Sequence, residues 1–411
     1  MRVLSTGMEW FSESPGGLPR YFADYLEAWQ RSGEDVQALI QVQNPRVREE
    51  LPSYVQGVTL ERNHLWSVRW QWRERLELAV SGQTYDVWNP HFSYYAWGAV
   101  NRPLFCEIPM VTHFHGPWAY ESKVEHGGLL QQTRFAIQKA IEKRVYRASD
   151  QFIVLSHAFK DVLVDNYDVP ADRVHVIPGG VDVRRFCPGD DEGRVRQELN
   201  LPQDKTILVS VRRLAHRMGL DRLIHAVSTL RHDFPKLLLV IIGTGGLERE
   251  LRALVTELGV EAHVYFAGRV SDEDLPKYYQ AADLSVVPSV AFEGFGLITT
   301  ESLACGTPVV GTPVGGIREV LQGLDGEMLC PGSSVPHLVE GLGRALGHVS
   351  RLPTAEQCRA YVLQNYTWDV IIPQIKEVFV SARDGKHSKE GTQSVALSSK
   401  QIAVAERTKG V

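Results

Sequence analysis

Little in this chain would staple, anchor or metal-load it. Its 411 residues include five cysteines (Cys106, Cys187, Cys305, Cys330 and Cys358), odd in number and without a C-x-x-C pair. That scarcity argues against a disulfide framework and a structural zinc, and it fits a reducing compartment. Long apolar runs are missing too: Leu237–Ile242 is far shorter than the ~20 residues a spanning helix needs. The opening Met-Arg-Val-Leu-Ser-Thr-Gly lacks the apolar core and cleavage site of a secretory leader and reads better as a first strand, so a cytoplasmic location is expected. The formal net charge is −5, which argues against a general nucleic-acid binder. No short-period repeat is visible.

What is present is an ordinary globular mixture, 44% hydrophobic and 23% charged, long enough for two domains. Short β-branched runs alternate with helical stretches from end to end, the α/β pattern of parallel sheets wrapped by helices. Strands are expected at Arg2–Ser5, Val36–Gln41, Asp86–Asn89, Pro109–His113, Gln151–Leu155 and Val174–Ile177. A second set is expected at Thr206–Val211, Leu237–Ile242, Val264–Phe266, Leu284–Val287 and Pro308–Val310. Between the sets, Phe186–Gly193 is rich in Pro, Gly and acids and suits a surface linker, with the hinge near residue 185. The expected division is therefore a first domain over 1–185 and a second over 186–366. An amphipathic helix over 367–382, despite Pro373, is expected to pack back on the first domain. Residues 383–411, rich in Ser, Lys, Thr and Gly, are expected to form a mobile tail.

The most informative segment is Glu293-Gly-Phe-Gly-Leu-Ile-Thr-Thr-Glu301, two carboxylates bracketing a glycine loop that runs into a helix over Leu297–Cys305. Gly294 and Gly296 let backbone approach a ligand, and the exposed N–H groups of the helix start suit a phosphate. Glu301, about one turn along, would reach ribose hydroxyls, and Glu293 would face what hangs beyond a diphosphate. The plain alternative is a capped helix with two solvated acids.

Other turns lie on the same sheet edges. Gly16 and Gly17 lead into a helix over Arg20–Ser32, with neither G-x-G-x-x-G nor G-x-x-x-x-G-K-[ST] present, which weakens a dinucleotide or P-loop assignment. Arg212, Arg213 and Arg217 follow a strand, where guanidinium forks could neutralise a diphosphate without a divalent ion. A solvated arginine run explains them equally well. Gly243-Thr244-Gly245-Gly246 ends another strand. His113 and His115 fall on one side of their strand, but no third ligand at matching spacing stands out, and no metal site is expected. In Asp272-Glu273-Asp274, Ser271 should cap the helix containing Leu275–Ala281, with Asp274 at its third position.

Taken together, the chain up to about residue 382 resembles the retaining glycosyltransferases of family 4, which have the GT-B fold of two Rossmann-like doubly wound domains facing a cleft. The most specific match is Pro288–Gly296 with Glu301, the E-x7-E signature, continued by Ala304-Cys305-Gly306-Thr307-Pro308-Val309-Val310. Ile177-Pro178-Gly179-Gly180-Val181-Asp182 is similar to the family's interdomain segment, and Phe266-Ala267-Gly268-Arg269-Val270 to its base-binding turn. The resemblance implies transfer of a sugar from a nucleoside diphosphate, UDP- or GDP-linked, to an acceptor hydroxyl with retained configuration and no cofactor. It places Glu301 on the ribose, Glu293 on the donor sugar, and the backbone of Gly294, Phe295, Gly296, Leu297 and Ile298 along sugar and diphosphate. Arg213 matches the phosphate-binding arginine, His115 the histidine beside the transferred sugar, Gly16 and Gly17 the loop over the donor, and Val270 the contact to the base. His115, Arg213 and Glu293 are thus the candidate catalytic residues, with Arg217 and Gly243 in the donor site. Where the family commonly has lysine this chain has Met218, so either Arg217 substitutes for that cation or phosphate binding is weakened.

Two alternatives use the same alternation: a nicotinamide-dependent oxidoreductase, whose fingerprint is missing, and a catalytically silent sugar-nucleotide binder. The acceptor, a glycan, glycolipid or small molecule, should meet the first domain near Trp118, Tyr120, Glu121 and the cluster Trp88, Phe92, Tyr94, Tyr95 and Trp97, although most of those rings suit a core. Basic residues of Gln131–Ser149 (Arg134, Lys139, Lys143, Arg144 and Arg147) and of Trp66–Arg75 could rest on the inner face of an anionic membrane, or be solvated helix faces.

Overall fold

The computed structural model describes residues 1–14, 16–61, 64–125 and 131–386. Among the described residues, seven parallel strands build the first half: β1 Arg2–Glu9, β2 Asp35–Gln41, β3 Val55–Val58, β4 Val87–Pro90, β5 Val111–Phe114, β6 Gln151–Val154 and β7 Val174–Val176. They run in the order β3-β2-β1-β4 and β5-β6-β7, and a parallel bridge from Trp88 to Met110 joins the two sets. The second half holds β8 Thr206–Val211, β9 Leu237–Ile242, β10 Val264–Gly268, β11 Leu284–Val287 and β12 Val309–Gly311, ordered β10-β9-β8-β11-β12. Helices cover both faces, which is why β9 reads Leu-Leu-Leu-Val-Ile-Ile with every residue buried. In each sheet the strand order reverses beside the first strand, and that reversal opens a crevice at the carboxyl ends. The fold is therefore the two-domain Rossmann-like arrangement expected.

Several local expectations change. β3 was not anticipated, because Val-Gln-Gly-Val is a short edge strand without an apolar run; its register, Ala38 opposite Val55, is set by pairing to β2. The first helix spans Gly17–Arg31, starting three residues earlier than expected. The helix after Ser271 begins only at Leu275: Ser271 Oγ still accepts from Asp274 N–H at 3.0 Å, but it closes a turn ahead of the regular helix. Phe186, expected in a surface linker, is 1% exposed and meets Tyr279 at 6.1 Å between ring centroids. Arg359 fastens this stretch by donating to the carbonyls of Val183, Phe186 and Ala304.

The last helix runs from residue 368 through 386, so residues 383–386 are helical and not tail; the rest of the expected tail lies outside the described residues. Its buried Trp368, Ile371, Ile375 and Phe379 belong to one apolar cluster with Trp29 of the first domain and Leu303 of the second. Phe379 meets Trp29 at 5.2 Å and Trp368 meets Tyr21 at 5.3 Å between centroids. This helix thus clasps the first domain from the far end of the chain. Phe379→Ala is expected to cost about 3–5 kcal/mol, read as a lowered urea midpoint; an unchanged midpoint would show that the clasp carries no stability.

Candidate functional site

The site grows from the ends of β8 and β11, neighbours in the second sheet. Residues after Val287 form a loop that enters the helix Leu297–Ala304 through Gly296, at φ 76°. Phe292, a bulky residue at φ 48°, sits within that loop in a strained left-handed conformation of the kind that gathers at functional sites. Glu293 is fastened there: its Oε2 accepts from Arg212 Nη2 at 2.7 Å and from Ser289 Oγ at 2.9 Å. Gly315, at φ +54°, is required behind it, since a Cβ would overlap the Glu293 carbonyl, which already accepts from Gly316 N–H at 3.1 Å. Neither Arg212 as the partner of Glu293 nor the Gly315–Gly316 support was anticipated, because both are long-range pairings.

Glu301 lies in the second turn of the helix, 8% exposed, and accepts from Tyr279 Oη at 3.0 Å. Burial pushes its pKa up to about 7, opposed by the charge of Arg185. Asp24 on the first helix adds like charge; its own pKa is pushed up to about 6 by burial, against Arg185 at 3.7 Å and Arg20 at 3.5 Å. The structure therefore places Glu293 in the glycine loop and Glu301 in the helix that the loop enters, each on a fixed hydroxyl or guanidinium partner.

The arginines divide. Arg213 is exposed and, among the described residues, enters no ion pair, while its charge is felt by Glu121. Arg217 is partly buried and shared: it lies 3.5 Å from Glu121, 3.3 Å from Glu125, and donates to Phe292 O at 2.9 Å. Both carboxylates come from the first-domain helix Trp118–Glu125, so Arg217 bridges the domains. Met218 is buried. Around the loop the Nε atoms of Arg185 and Arg212 and Oγ1 of Thr299 are buried without a hydrogen-bond partner among the described residues. Unpaired buried donors at the start of a helix are the chemistry an anionic ligand would satisfy.

Across the cleft, His113 and His115 do fall on one side of β5, their rings parallel within 11°, and His91, which was not singled out, packs against both. Among the described residues no group of three or more His, Cys, Asp or Glu side chains converges on a metal position. Gly16 and Gly17 are exposed at the start of the first helix. Gly243 instead packs its α-carbon against Arg212 O and donates its N–H to Gly268 O, so backbone packing demands glycine there. Phe295 is buried, and with partly buried Leu297 it packs on Gly179 of the interdomain segment; Ile298 and Val270 are partly buried. Of the first-domain aromatics, Trp88, Tyr95 and Trp97 are core, whereas Phe92, Tyr94 and Trp118 form a half-buried trio with centroids 5.4–6.3 Å apart.

Two family models match: Glycosyltransferase Family 4 over residues 15–185, and Glycosyl transferases group 1 over residues 191–361. An uncharacterized glycosyltransferase of Methanocaldococcus jannaschii is 28% identical, aligned over 93% of this chain and 99% of its own. A D-inositol 3-phosphate glycosyltransferase of Acidothermus cellulolyticus is 31% identical over 72% of this chain and 67% of its own. HepE of Anabaena, solved in complex with UDP-glucose, superposes with a TM-score of 0.74 at 22% identity, covering 93% of this chain and all of that one.

Glu301 gives the site a pH signature. A carboxyl whose pKa rises on folding from 4.5 to about 7 contributes stability that is full below 4.5 and is lost as the pH rises through 7. Glu301→Gln, neutral at every pH, is expected to be more stable than the parent at pH 8 by on the order of 2–3 kcal/mol, read as a higher Tm, with the gap closing by pH 5. A gap of the same size at both pH values would show that Glu301 is not held protonated.

Proposed function

The chain belongs to the family 4 glycosyltransferases, and from that premise we propose that it moves a sugar from a nucleoside diphosphate, uridine before guanosine, to an acceptor hydroxyl with retention of configuration and without a divalent cation. The observation that carries this reading is the pair Glu293 and Glu301, one anchored in the glycine loop and the other in the helix it enters, beside the buried Nε atoms of Arg185 and Arg212 that lack a hydrogen-bond partner among the described residues. Ribose hydroxyls donate to Glu301, which on binding gains partners for its charged form. The donor sugar meets Glu293, and the diphosphate lies along the loop backbone and Arg213.

Chemistry at such a site is charge stabilisation at the departing diphosphate. Arg213, exposed and in no ion pair among the described residues, meets the charge as it develops, and the helix start at Leu297 adds its dipole. Closure of the first domain, tied on by Arg217 with Glu121 and by Arg20 with Asp272, excludes water that would hydrolyse the donor. Retention then follows from attack on the face of departure, with a diphosphate oxygen taking the acceptor's proton. Glu293, whose Oε2 already holds two hydrogen bonds, suits orientation better than nucleophilic attack.

The acceptor side is assigned to Phe92, Tyr94 and Trp118. A lipid-linked acceptor at the cytoplasmic membrane face is supported by Trp66 and Trp70, 65% and 54% exposed beside Arg69 and Arg73; no described helix is long and apolar enough to cross a membrane. A second reading, sugar-nucleotide binding without transfer, draws on Met218 and on the engagement of Arg217.

A mass-spectrometric screen of sugar nucleotides with glycan, lipid and small-molecule acceptors tests the proposal, and binding without product would select the second reading. Arg213→Ala is expected to lower kcat/KM by ~10²-fold or more, and Glu301→Ala to raise the donor KM strongly. Unchanged kinetics in both variants would remove the site assignment. Activity should persist in EDTA; its loss on chelation, restored by Mg²⁺ or Mn²⁺, would overturn the cation-free account.

A further inference from the structure

Three imidazoles stand stacked behind the cleft, His91 lying 4.3 Å from His113 and 5.1 Å from His115 between ring centroids. One backbone carbonyl dictates where their protons sit. Val111 O can only accept, so the Asn89 atom 2.7 Å from it is the amide nitrogen. That nitrogen's second proton meets His113 Nδ1 at 3.1 Å, and Asn89 Oδ1 is left as an acceptor 2.8 Å from His91 Nε2. His91 Nε2 therefore carries a proton. Burial, with His113 and His115 alongside, holds the His91 ring well below the usual histidine range, so it is neutral and its Nδ1 is bare. His115 Nε2 lies 3.0 Å from that bare nitrogen and must be the protonated atom of its own ring. His115 is neutral as well, pushed down to about 3 by burial, which leaves a lone pair on Nδ1. This ring is the half-buried member of the three, at the mouth of β5, and its Nδ1 is not among the buried unpaired atoms.

We propose that Asn89 and His91 are positioning residues which lock His115 in the Nε2–H tautomer, so that its Nδ1 faces the cleft as a standing acceptor for one hydroxyl of the bound sugar. The identity of that ligand rests on the transfer reading; the proton relay does not. Locked in this way, His115 orients the sugar and discriminates against a donor lacking that hydroxyl, and it serves as neither acid nor nucleophile. The relay also accounts for an asparagine, fully buried, at the end of a strand otherwise made of apolar residues and proline.

The test is histidine-selective ¹⁵N NMR on the full chain, paired with transfer kinetics. The wild-type protein is expected to show His115 with Nδ1 unprotonated, Nε2 protonated, and no titration between pH 5 and 8. His91→Leu should release that tautomer and lower kcat/KM by about tenfold. His91→Asn, whose amide oxygen overlays the imidazole Nδ1, should restore both, and this rescue separates positioning from a packing defect. A wild-type His115 with its proton on Nδ1 overturns the relay, as does a folded His91→Leu protein that keeps both tautomer and kcat/KM. If the wild type shows the expected tautomer yet turns over no sugar nucleotide, the relay stands and the transfer reading falls.

Discussion

The buried ion pair between Arg212 and Glu293 is the constraint on which the site depends. Both side chains are nearly out of solvent, 6% and 13% exposed, where an ion pair persists only if geometry and further hydrogen bonds offset the cost of desolvation. Ser289 supplies one of those bonds, and the backbone of Arg212 is pinned to β9 through Ile242 O. The carboxylate is thereby tied to the ends of β8, β9 and β11 together. With Glu293 fixed, Gly294 is held against Phe159 of the first domain and the helix bearing Glu301 starts in one place. Position of a carboxylate, path of a loop and origin of a helix dipole are consequences of one contact.

The domains are joined by two kinds of force. The last helix brings a continuous apolar face onto the first domain, and burial of that face is insensitive to ligand charge. The cleft itself is crossed by ionic contacts: Arg20 with Asp272, Arg217 with Glu121 and Glu125, and Glu319 accepting from the N–H groups of His157 and Ala158. Partly exposed pairs of this sort contribute little singly and exchange partners readily. An anionic ligand entering beside Arg213 would compete with Glu121 for the same positive field. The apolar clasp thus keeps the halves together while the polar contacts across the cleft remain exchangeable.

Legibility in the sequence followed sequence distance. Alternation of apolar runs announced the parallel sheets, since strands buried on both faces carry no polar residues to obscure them, and the Glu293–Glu301 loop was readable because its glycines, carboxylates and helix start are contiguous. Edge strand β3 escaped because four residues around a glycine make no run. Phe186 misled because a Pro- and Gly-rich stretch looks exposed when its burial against Tyr279 is nearly a hundred residues away. His91 and Asn89 escaped altogether, for nothing in Asn-Pro-His signals that a neighbouring strand will bring His115 within hydrogen-bonding distance.

By itself the sequence determined the α/β class and the pair of Rossmann-like domains, and it marked the Glu293–Glu301 segment as a glycine loop entering a helix, because periodicity and local glycine chemistry act between near neighbours. Only the tertiary structure decided which charges are free. Arg213 and Arg217 look alike in a string of arginines, yet one faces solvent and the other is shared by two carboxylates from the opposite domain. Protonation is a tertiary property too: Glu301 near pKa 7 and His115 near 3 owe those values to burial among partners brought together from distant parts of the chain.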